Sequence, residues 1–325
     1  MKQGLNNITG QNSIKDLLLK SINSGWVSHA YIFEGESGMG KKTLAYAFAC
    51  QLICKEKSAC GSCYECRLAL SGNHPDIITV IPDEDKQSIS VDNIRALYER
   101  VMIKPYSADK KVIVIPDAEK MVPQAQNALL KMLEEPPSYI VFLLLTKNSN
   151  YFLETVLSRC IKLTLMPYND EEIREALKEQ GYINVPDAVI SCSEGNIGRA
   201  LSLMTGGRFL ELRKELASMF DLFFDSKPKI YDIISFLEQN KELAGDIFEI
   251  YLSFARELIM CHLCADETSR SDDFNAAEYI SRTSLKGCMA FSDKVIETKK
   301  MLLSNVNFSL LVNSFVLSSR EVLGW

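Results

Sequence analysis

Gly35-Glu36-Ser37-Gly38-Met39-Gly40-Lys41-Lys42-Thr43 has the glycine and lysine spacing of a phosphate-binding loop. It follows residues 30–33, an apolar run that predicts a strand, and it opens a helical pattern over 41–52. Glycines in this position let backbone N–H groups close around phosphate oxygens, and the helix N-terminus adds a favourable partial charge. Lys41 fits the phosphate-binding lysine, so the sequence predicts a phosphate loop between a strand and a helix.

Strands and helices alternate on both sides of this loop. Further strands are predicted at 76–81, 111–115, 139–146 and 161–165, and helical spacing at 94–101 and 122–135 predicts two of the intervening helices. Alternation of this kind implies a parallel α/β sheet with helices on its faces. We therefore predict an α/β P-loop domain with a five-stranded parallel sheet.

The character of the sequence changes after Met166-Pro167, where no further strand pattern occurs. Asn169 followed by Glu172 predicts a capped helix start, and Gly206-Gly207 predicts a break. We expect three domains: an α/β domain over 1–166 with a cysteine module at about 50–66, a small three-helix domain over 167–206, and an all-α domain over 207–325.

Composition excludes several classes of protein. The 325 residues include 36 basic and 42 acidic side chains, giving a formal net charge of −6. A mildly acidic chain is not a general nucleic-acid coat, because non-specific DNA affinity depends on cations that meet phosphates. The strongest apolar run, 140–145, is far shorter than the roughly 20 residues that span a bilayer. With no apolar leader at the N-terminus, we expect a soluble, cytoplasmic protein.

Two positions that should bind magnesium carry the wrong residues. A catalytic phosphate loop needs Ser or Thr directly after its lysine, but Lys42 occupies that position and an ammonium group cannot coordinate a cation. Thr43 comes one residue later and is turned by roughly 100° around the helix. The strand at 111–115 should end in acids, yet Pro116 follows it and Asp117 takes the next place. We therefore expect no meaningful ATP hydrolysis by this chain, and nucleotide binding in cis is doubtful.

A cluster of cysteines follows the loop's helix. Cys60, Cys63 and Cys66 have C-x-x-C-x-x-C spacing, and Cys54 is the predicted fourth thiol. Four thiolates suit a closed, tetrahedral, structural zinc site, and iron–sulfur ligation is the alternative at this spacing. Cys50, one helical turn before Cys54, is the other candidate for the fourth ligand.

Several short motifs occur in a fixed order along the chain: Ile8-Thr9-Gly10-Gln11, His29-Ala30-Tyr31, the phosphate loop, the cysteine module, His74-Pro75-Asp76, Asn127-Ala128-Leu129-Leu130-Lys131-Met132-Leu133-Glu134-Glu135-Pro136-Pro137, Ser158-Arg159-Cys160 and Gly198-Arg199-Ala200-Leu201. Together they resemble the AAA+ subunits of the bacterial DNA polymerase III clamp loader over nearly the whole chain. The departures at Lys42 and Pro116 favour its delta-prime family over the gamma/tau ATPase, which needs its magnesium ligands.

The resemblance implies roles for particular residues. Thr146 would be the sensor residue after the fourth strand, and Arg199 would lie on the lid helix. Both therefore join the candidates for a degenerate nucleotide site: Gly35, Gly38, Gly40, Lys41, Lys42, Thr43 and Asp117. Arg159, within the Ser158-Arg159-Cys160 motif, would act in trans as an arginine finger for a neighbouring subunit.

The function that the resemblance implies is that of a non-motor stator. The chain would join gamma/tau and delta subunits in a heteropentamer that loads the sliding clamp onto primed DNA, and its C-terminal domain would form part of the oligomer collar. An active gamma/tau-type ATPase is the alternative. A weaker one is an unrelated P-loop enzyme with a zinc knuckle.

Overall fold

The computed structural model describes residues 4–83, 86–206, 208–224, 229–263, 273–302, 304 and 306–324. The chain divides into two compact units. One comprises Met1–Ala176 with Asn196–Gly198, and the other comprises Leu177–Gly195 with Arg199–Trp325. The division into three domains stays a prediction, and Gly207 of its second boundary lies outside the described residues.

The first unit alternates strands with helices along most of its length. The elements up to its end are, in chain order, α1 (Asn12–Ser24), β1 (Ala30–Glu34), α2 (Lys41–Ile53), α3 (Tyr64–Leu70), β2 (Ile77–Thr79), α4 (Val91–Met102), β3 (Lys111–Ile115), α5 (Pro123–Glu134), β4 (Ile140–Thr146), α6 (Glu154–Leu157), β5 (Ile161–Thr164) and α7 (Asp170–Glu179).

The five strands form one parallel sheet in the order β2-β3-β4-β1-β5. β1 lies between β4 and β5, with Tyr31 opposite both Leu143 and Ile161. β3 and β4 are buried along their whole length, as expected for parallel strands that helices cover on both faces. The predicted α/β fold with a five-stranded parallel sheet is confirmed.

The edge strand β2 is shorter than the predicted strand over 76–81. Its last ladder contact is the hydrogen bond from the Val80 N–H to the Val114 carbonyl, at 2.9 Å. The next bond in a parallel ladder would need an N–H at residue 116, and Pro116 has none. Ile81 is consequently 62% exposed.

Local sequence explains where two of the helices begin. α5 begins with Pro123, whose missing N–H costs nothing in the first helical turn. α7 begins with the predicted capping box, because Asn169 and Glu172 exchange backbone-to-side-chain hydrogen bonds of 2.9 Å in both directions.

Three helices of the first unit were not anticipated from the sequence: α1, α3 and the one-turn helix α6. α1 buries Ile14, Leu18 and Ile22, a four-residue spacing that was a readable helical signal. α3 begins inside the cysteine module, where the Cys63 sulfur caps the helix by accepting a hydrogen bond from the Cys66 N–H. Thiol spacing alone gave no indication of that helix.

The regular elements described in the second unit are all helices, as predicted. The helices from its start to the end of the chain are α8 (Asp187–Ser193), α9 (Ile197–Thr205), α10 (Phe209–Met219), α11 (Ile230–Gln239), α12 (Ala244–Leu263), α13 (Leu285–Leu302) and α14 (Phe308–Leu323). Within the described residues, no helix of the chain is long and apolar enough to cross a bilayer.

A buried arginine holds part of the second unit together. Arg213 is fully buried and its guanidinium bonds Glu257 at 2.7 Å, Asp273 at 3.0 Å and the Ser253 hydroxyl at 3.0 Å. It also lies 4.7 Å from the centroid of the Phe254 ring. These partners compensate the charge, which would otherwise be costly to bury.

Glu34 connects β1 to β5 and to the turn after β4 at the carboxyl end of the sheet. At the end of β1, its carboxylate accepts a hydrogen bond of 2.6 Å from the Ser149 N–H and lies 2.7 Å from the Lys162 ammonium. The Thr164 hydroxyl donates a third contact at 3.1 Å. Burial alone would raise the pKa of Glu34, but the contacts from Lys162 and Ser149 prevail and lower it to about 2.

This pKa predicts an acid-dependent contribution to stability. A carboxyl whose pKa falls from 4.5 to about 2 on folding stabilises the fold above pH 4.5, and the contribution disappears as the pH falls towards 2. We expect Glu34→Gln to lower the free energy of unfolding by about 1–3 kcal/mol at pH 7. The difference from the wild type should shrink at pH 3, measured by urea unfolding.

Glu99→Gln, on the exposed part of α4, is the matched control and should change stability little at either pH. A Glu34→Gln deficit that is the same at pH 7 and pH 3 would contradict the assigned ionisation.

Candidate functional site

The predicted phosphate loop connects β1 to α2, in the context that the sequence required. Gly38 and Gly40 adopt φ of +89° and +82°, a backbone region that favours glycine. Gly40 is the N-cap of α2, and the helix begins at Lys41. The loop therefore has the strand–loop–helix geometry of an anion cradle.

The ammonium of Lys41 is bound to the loop's own backbone. Its Nζ lies 2.5 Å from the Gly35 carbonyl and 2.9 Å from the Glu36 carbonyl. Burial lowers the pKa of Lys41, while the carboxylates of Glu119 and Glu36 oppose this shift. Two of the three ammonium donors are thus used within the loop.

A short segment of the first unit, Asn196–Gly198, packs directly on this loop. The Asn196 side-chain amide donates to the Ser37 carbonyl at 2.7 Å, and the Gly198 N–H donates to the Gly38 carbonyl at 3.0 Å. A Cβ on Gly38 would lie 2.4 Å from Oδ1 of Asn196. Glycine at 38 is therefore required by this close approach as well as by its φ.

Lys42 and Pro116 occupy the two positions at which a catalytic site would hold its magnesium ligands. Lys42 and Thr43 are both exposed at the start of α2. Pro116 follows β3 and is buried, and Asp117 pairs with Lys120 at 3.2 Å. Neither Lys42 nor Pro116 offers an oxygen ligand from its side chain.

Thr146 lies beside the phosphate loop, and its hydroxyl is engaged locally, so its role as a sensor residue stays a prediction. Its main-chain carbonyl accepts from the Gly35 N–H at 3.1 Å. Its buried hydroxyl donates to the Asn148 carbonyl at 2.9 Å and accepts from the Asn148 N–H at 3.2 Å. Thr146 therefore fixes the turn after β4.

Arg199 belongs to the second unit. There it pairs with Glu194 at 2.9 Å and also contacts the carboxylate of Glu249. Glu249 also binds Lys299, so Arg199 is part of a network of charged side chains within that unit. Its assignment to a nucleotide site stays a prediction.

Arg159 lies in the turn between α6 and β5, with Ser158 and Cys160 on either side. Nη1 donates to the Thr155 carbonyl at 2.9 Å and to the Ser158 hydroxyl at 3.2 Å. Nη2 lies 2.9 Å from Oε1 of Glu134, the last residue of α5. Burial raises the pKa of the Cys160 thiol to about 12, so that thiol stays protonated.

The structure brings Cys54, Cys60, Cys63 and Cys66 together, with all four sulfur atoms within 4.8 Å of one another. Zn–S bonds of about 2.3 Å in a tetrahedron place neighbouring sulfurs about 3.8 Å apart, and the Cys54 and Cys60 sulfurs are separated by 3.8 Å. The pKa values of the thiols shift in different directions, because a hydrogen bond from Ser62 contributes most to lowering the pKa of Cys60 to about 6, whereas burial raises that of Cys66. The four residues therefore fit a tetrahedral metal ion.

Cys50 is not part of this cluster. It is buried on α2, and its sulfur is not among the four that lie within 4.8 Å of one another. Of the two candidates for the fourth ligand, the geometry favours Cys54.

A buried polar network that the sequence analysis missed connects the cysteine module to the sheet domain. Glu65, between two of the cysteines, lies 2.8 Å from Nε2 of His74 and accepts from the Ser107 hydroxyl at 2.8 Å. His74 in turn accepts from the Asp76 N–H at 3.0 Å. The Asp76 carboxylate accepts from three successive N–H groups at 106–108. The His74-Pro75-Asp76 motif was the signal that could have predicted it.

Comparison with known proteins gives consistent matches. A family model described as "DNA polymerase III, delta subunit" matches residues 10–169. The DNA polymerase III subunit delta' of Escherichia coli (strain K12) is 33% identical over 195 residues, 58% of each chain. The tau subunit of the same strain is 32% identical over 206 residues, but these cover 60% of this chain and only 32% of tau.

A match over nearly the whole chain favours the delta' subunits over the tau subunits. The DNA polymerase III subunit delta' of Bacillus subtilis (strain 168) is 30% identical over 321 residues. The aligned region covers 96% of this chain and 96% of that relative. This identity over nearly the whole of both chains shows that the chain belongs to the family of DNA polymerase III delta-prime subunits.

Proposed function

We propose that this chain is the non-motor stator of a DNA polymerase III clamp loader. It would hydrolyse no ATP itself and would assemble with gamma/tau ATPase subunits and a delta subunit in a heteropentamer. That assembly would open the sliding clamp and place it on primed DNA in the cytoplasm, and the second unit would contribute to its oligomer collar.

The observation that carries this proposal is the loss of both side-chain ligands for magnesium. Lys42 presents an ammonium group and Pro116 presents a ring where oxygen ligands are needed. Phosphoryl transfer depends on a metal that neutralises charge on the transferring phosphate. The same two residues argue against the alternative of an active gamma/tau-type ATPase.

The position of Arg159 supports a role in trans. β1 and β5 run parallel, the phosphate loop follows β1, and Arg159 precedes β5. These two features therefore lie at opposite ends of the same sheet. Arg159 therefore cannot serve its own phosphate loop, which supports a role at the nucleotide of an adjacent subunit. A guanidinium can fork onto phosphate oxygens there.

The four-cysteine cluster supports structural zinc as the cofactor. A closed set of four thiolates leaves no open coordination position, so the metal would stabilise the module and take no part in chemistry.

The isolated chain should not turn over ATP. Without magnesium ligands at positions 42 and 116, we expect magnesium-dependent hydrolysis at or near the uncatalysed background. A coupled assay on the purified chain measures this, with the gamma/tau subunit of the same organism as positive control. Turnover at the rate of that motor subunit would overturn the stator assignment.

Arg159→Ala should impair the assembled loader without disturbing assembly. An arginine finger contributes on the order of 10³–10⁵ to the rate, so the loader should lose the share of ATP turnover that comes from the adjacent site. Steady-state ATPase measurements after size-exclusion chromatography check this. Arg95→Ala, on an exposed side chain of α4, is the control. Undiminished turnover by a correctly assembled Arg159→Ala complex would refute the finger role.

Zinc should be present at about one equivalent per chain, and Cys63→Ser should lower both the zinc content and the melting temperature. Mass-spectrometric metal analysis of the purified chain measures the content. Cys261→Ser, outside the cluster, should retain the metal. Iron with inorganic sulfide, or a well-folded chain free of metal, would contradict structural zinc.

A further inference from the structure

Arg159 already has a charged partner within its own chain. The Arg159 side chain is 34% exposed, and Nη2 lies 2.9 Å from Oε1 of Glu134, whose side chain is 50% exposed. Nη1 bonds two acceptors of its own turn, whereas Nε–H takes part in none of these three contacts. The guanidinium is thus held along one edge, and part of it remains available to a ligand.

α5 contacts both ends of the neighbouring segment 151–159, and Glu134, at the end of α5, contacts the end of that segment. Near the start of α5, the buried Gln126 donates to the Tyr151 carbonyl at 3.0 Å and accepts from the Leu153 N–H at 2.9 Å. At its end, Glu134 holds Arg159. Between these contacts, Leu129 and Val156 lie in the same buried apolar cluster. α5 therefore braces the whole segment from 151 to 159.

We propose that Glu134 is a positioning residue for Arg159, and this inference rests on the proposed role of Arg159 as an arginine finger. A free arginine loses rotamer freedom when it docks on phosphate. A carboxylate that holds the guanidinium in place beforehand removes part of that cost. Glu134 thus orders the finger before a neighbouring nucleotide reaches it.

The ion pair between Arg159 and Glu134 is exposed to solvent, so it does not prevent Arg159 from moving to a phosphate. An ion pair exposed to solvent is weak, because water and salt screen it. When Arg159 moves to a phosphate, water solvates the released Glu134 carboxylate. The contact is therefore strong enough to bias the orientation of Arg159 and weak enough to exchange.

Glu135 provides a matched control one residue along. It has the same charge and is also exposed, but it follows α5 with a non-helical φ of −126° and ψ of 64°. Within the described part of the chain it has no ion-pair partner. Glu135→Gln removes the same charge from the same surface without touching Arg159.

The first experiment measures ATP turnover by the complete clamp loader containing this chain. Glu134→Gln should lower kcat by about two- to fivefold, the range expected for an exposed ion pair, and leave KM for ATP unchanged. Glu135→Gln should match the wild type. In an Arg159→Ala background, Glu134→Gln should have no further effect, because the residue acts only through Arg159.

The second experiment uses the isolated full chain and is independent of assembly. Relaxation of ¹⁵N at Nε of Arg159, assigned by the signal lost in Arg159→Lys, should report a lower order parameter in Glu134→Gln and an unchanged one in Glu135→Gln. An unchanged order parameter in Glu134→Gln would overturn the inference.

The outcomes separate the two proposals. Wild-type or raised turnover by Glu134→Gln, with Arg159→Ala strongly impaired, overturns the positioning role and leaves the finger intact. A Glu134→Gln deficit that persists without Arg159 means a general structural defect and also overturns it. Undiminished turnover by Arg159→Ala removes the finger itself, and the positioning role with it.

Discussion

The parallel pairing of β1 between β4 and β5 is the constraint on which the arrangement of the candidate functional residues depends. It fixes the phosphate loop and the turn after Thr146 at the carboxyl end of the sheet, where the Gly35 N–H bonds the Thr146 carbonyl at 3.1 Å. It fixes Arg159 at the other end, two residues before β5 begins. Because parallel strands share one direction, a change of register in β1 would displace all of these together.

The cysteine module is joined to this sheet by more than its chain connections. Glu65 lies on α3 between the clustered thiols, and its carboxylate meets His74 and Ser107 of the sheet domain in a buried site. Such a network is stabilising only when every member has its partner. Because Glu65 of the module needs its partners in the sheet domain, the folding of the module is coupled to that of the sheet domain.

Residues close together in sequence were predictable, and contacts between distant residues were not. The glycine spacing around Lys41 and the thiol spacing from Cys60 to Cys66 express local geometry, so the loop and the cluster could be foreseen. The approach of Asn196 to Gly38 and of Glu134 to Arg159 depends on how separate elements pack. Sequence spacing contains no information on such contacts.

Pro116 has two consequences for any attempt to introduce a metal ligand after β3. Replacing it with aspartate would return a carboxylate to the position where a metal ligand is missing, but it would also introduce an N–H at the point where the β2–β3 ladder stops. The edge strand could then lengthen past Val80. A carboxylate introduced at this position would thus be accompanied by a change in the hydrogen bonding at the border of the sheet.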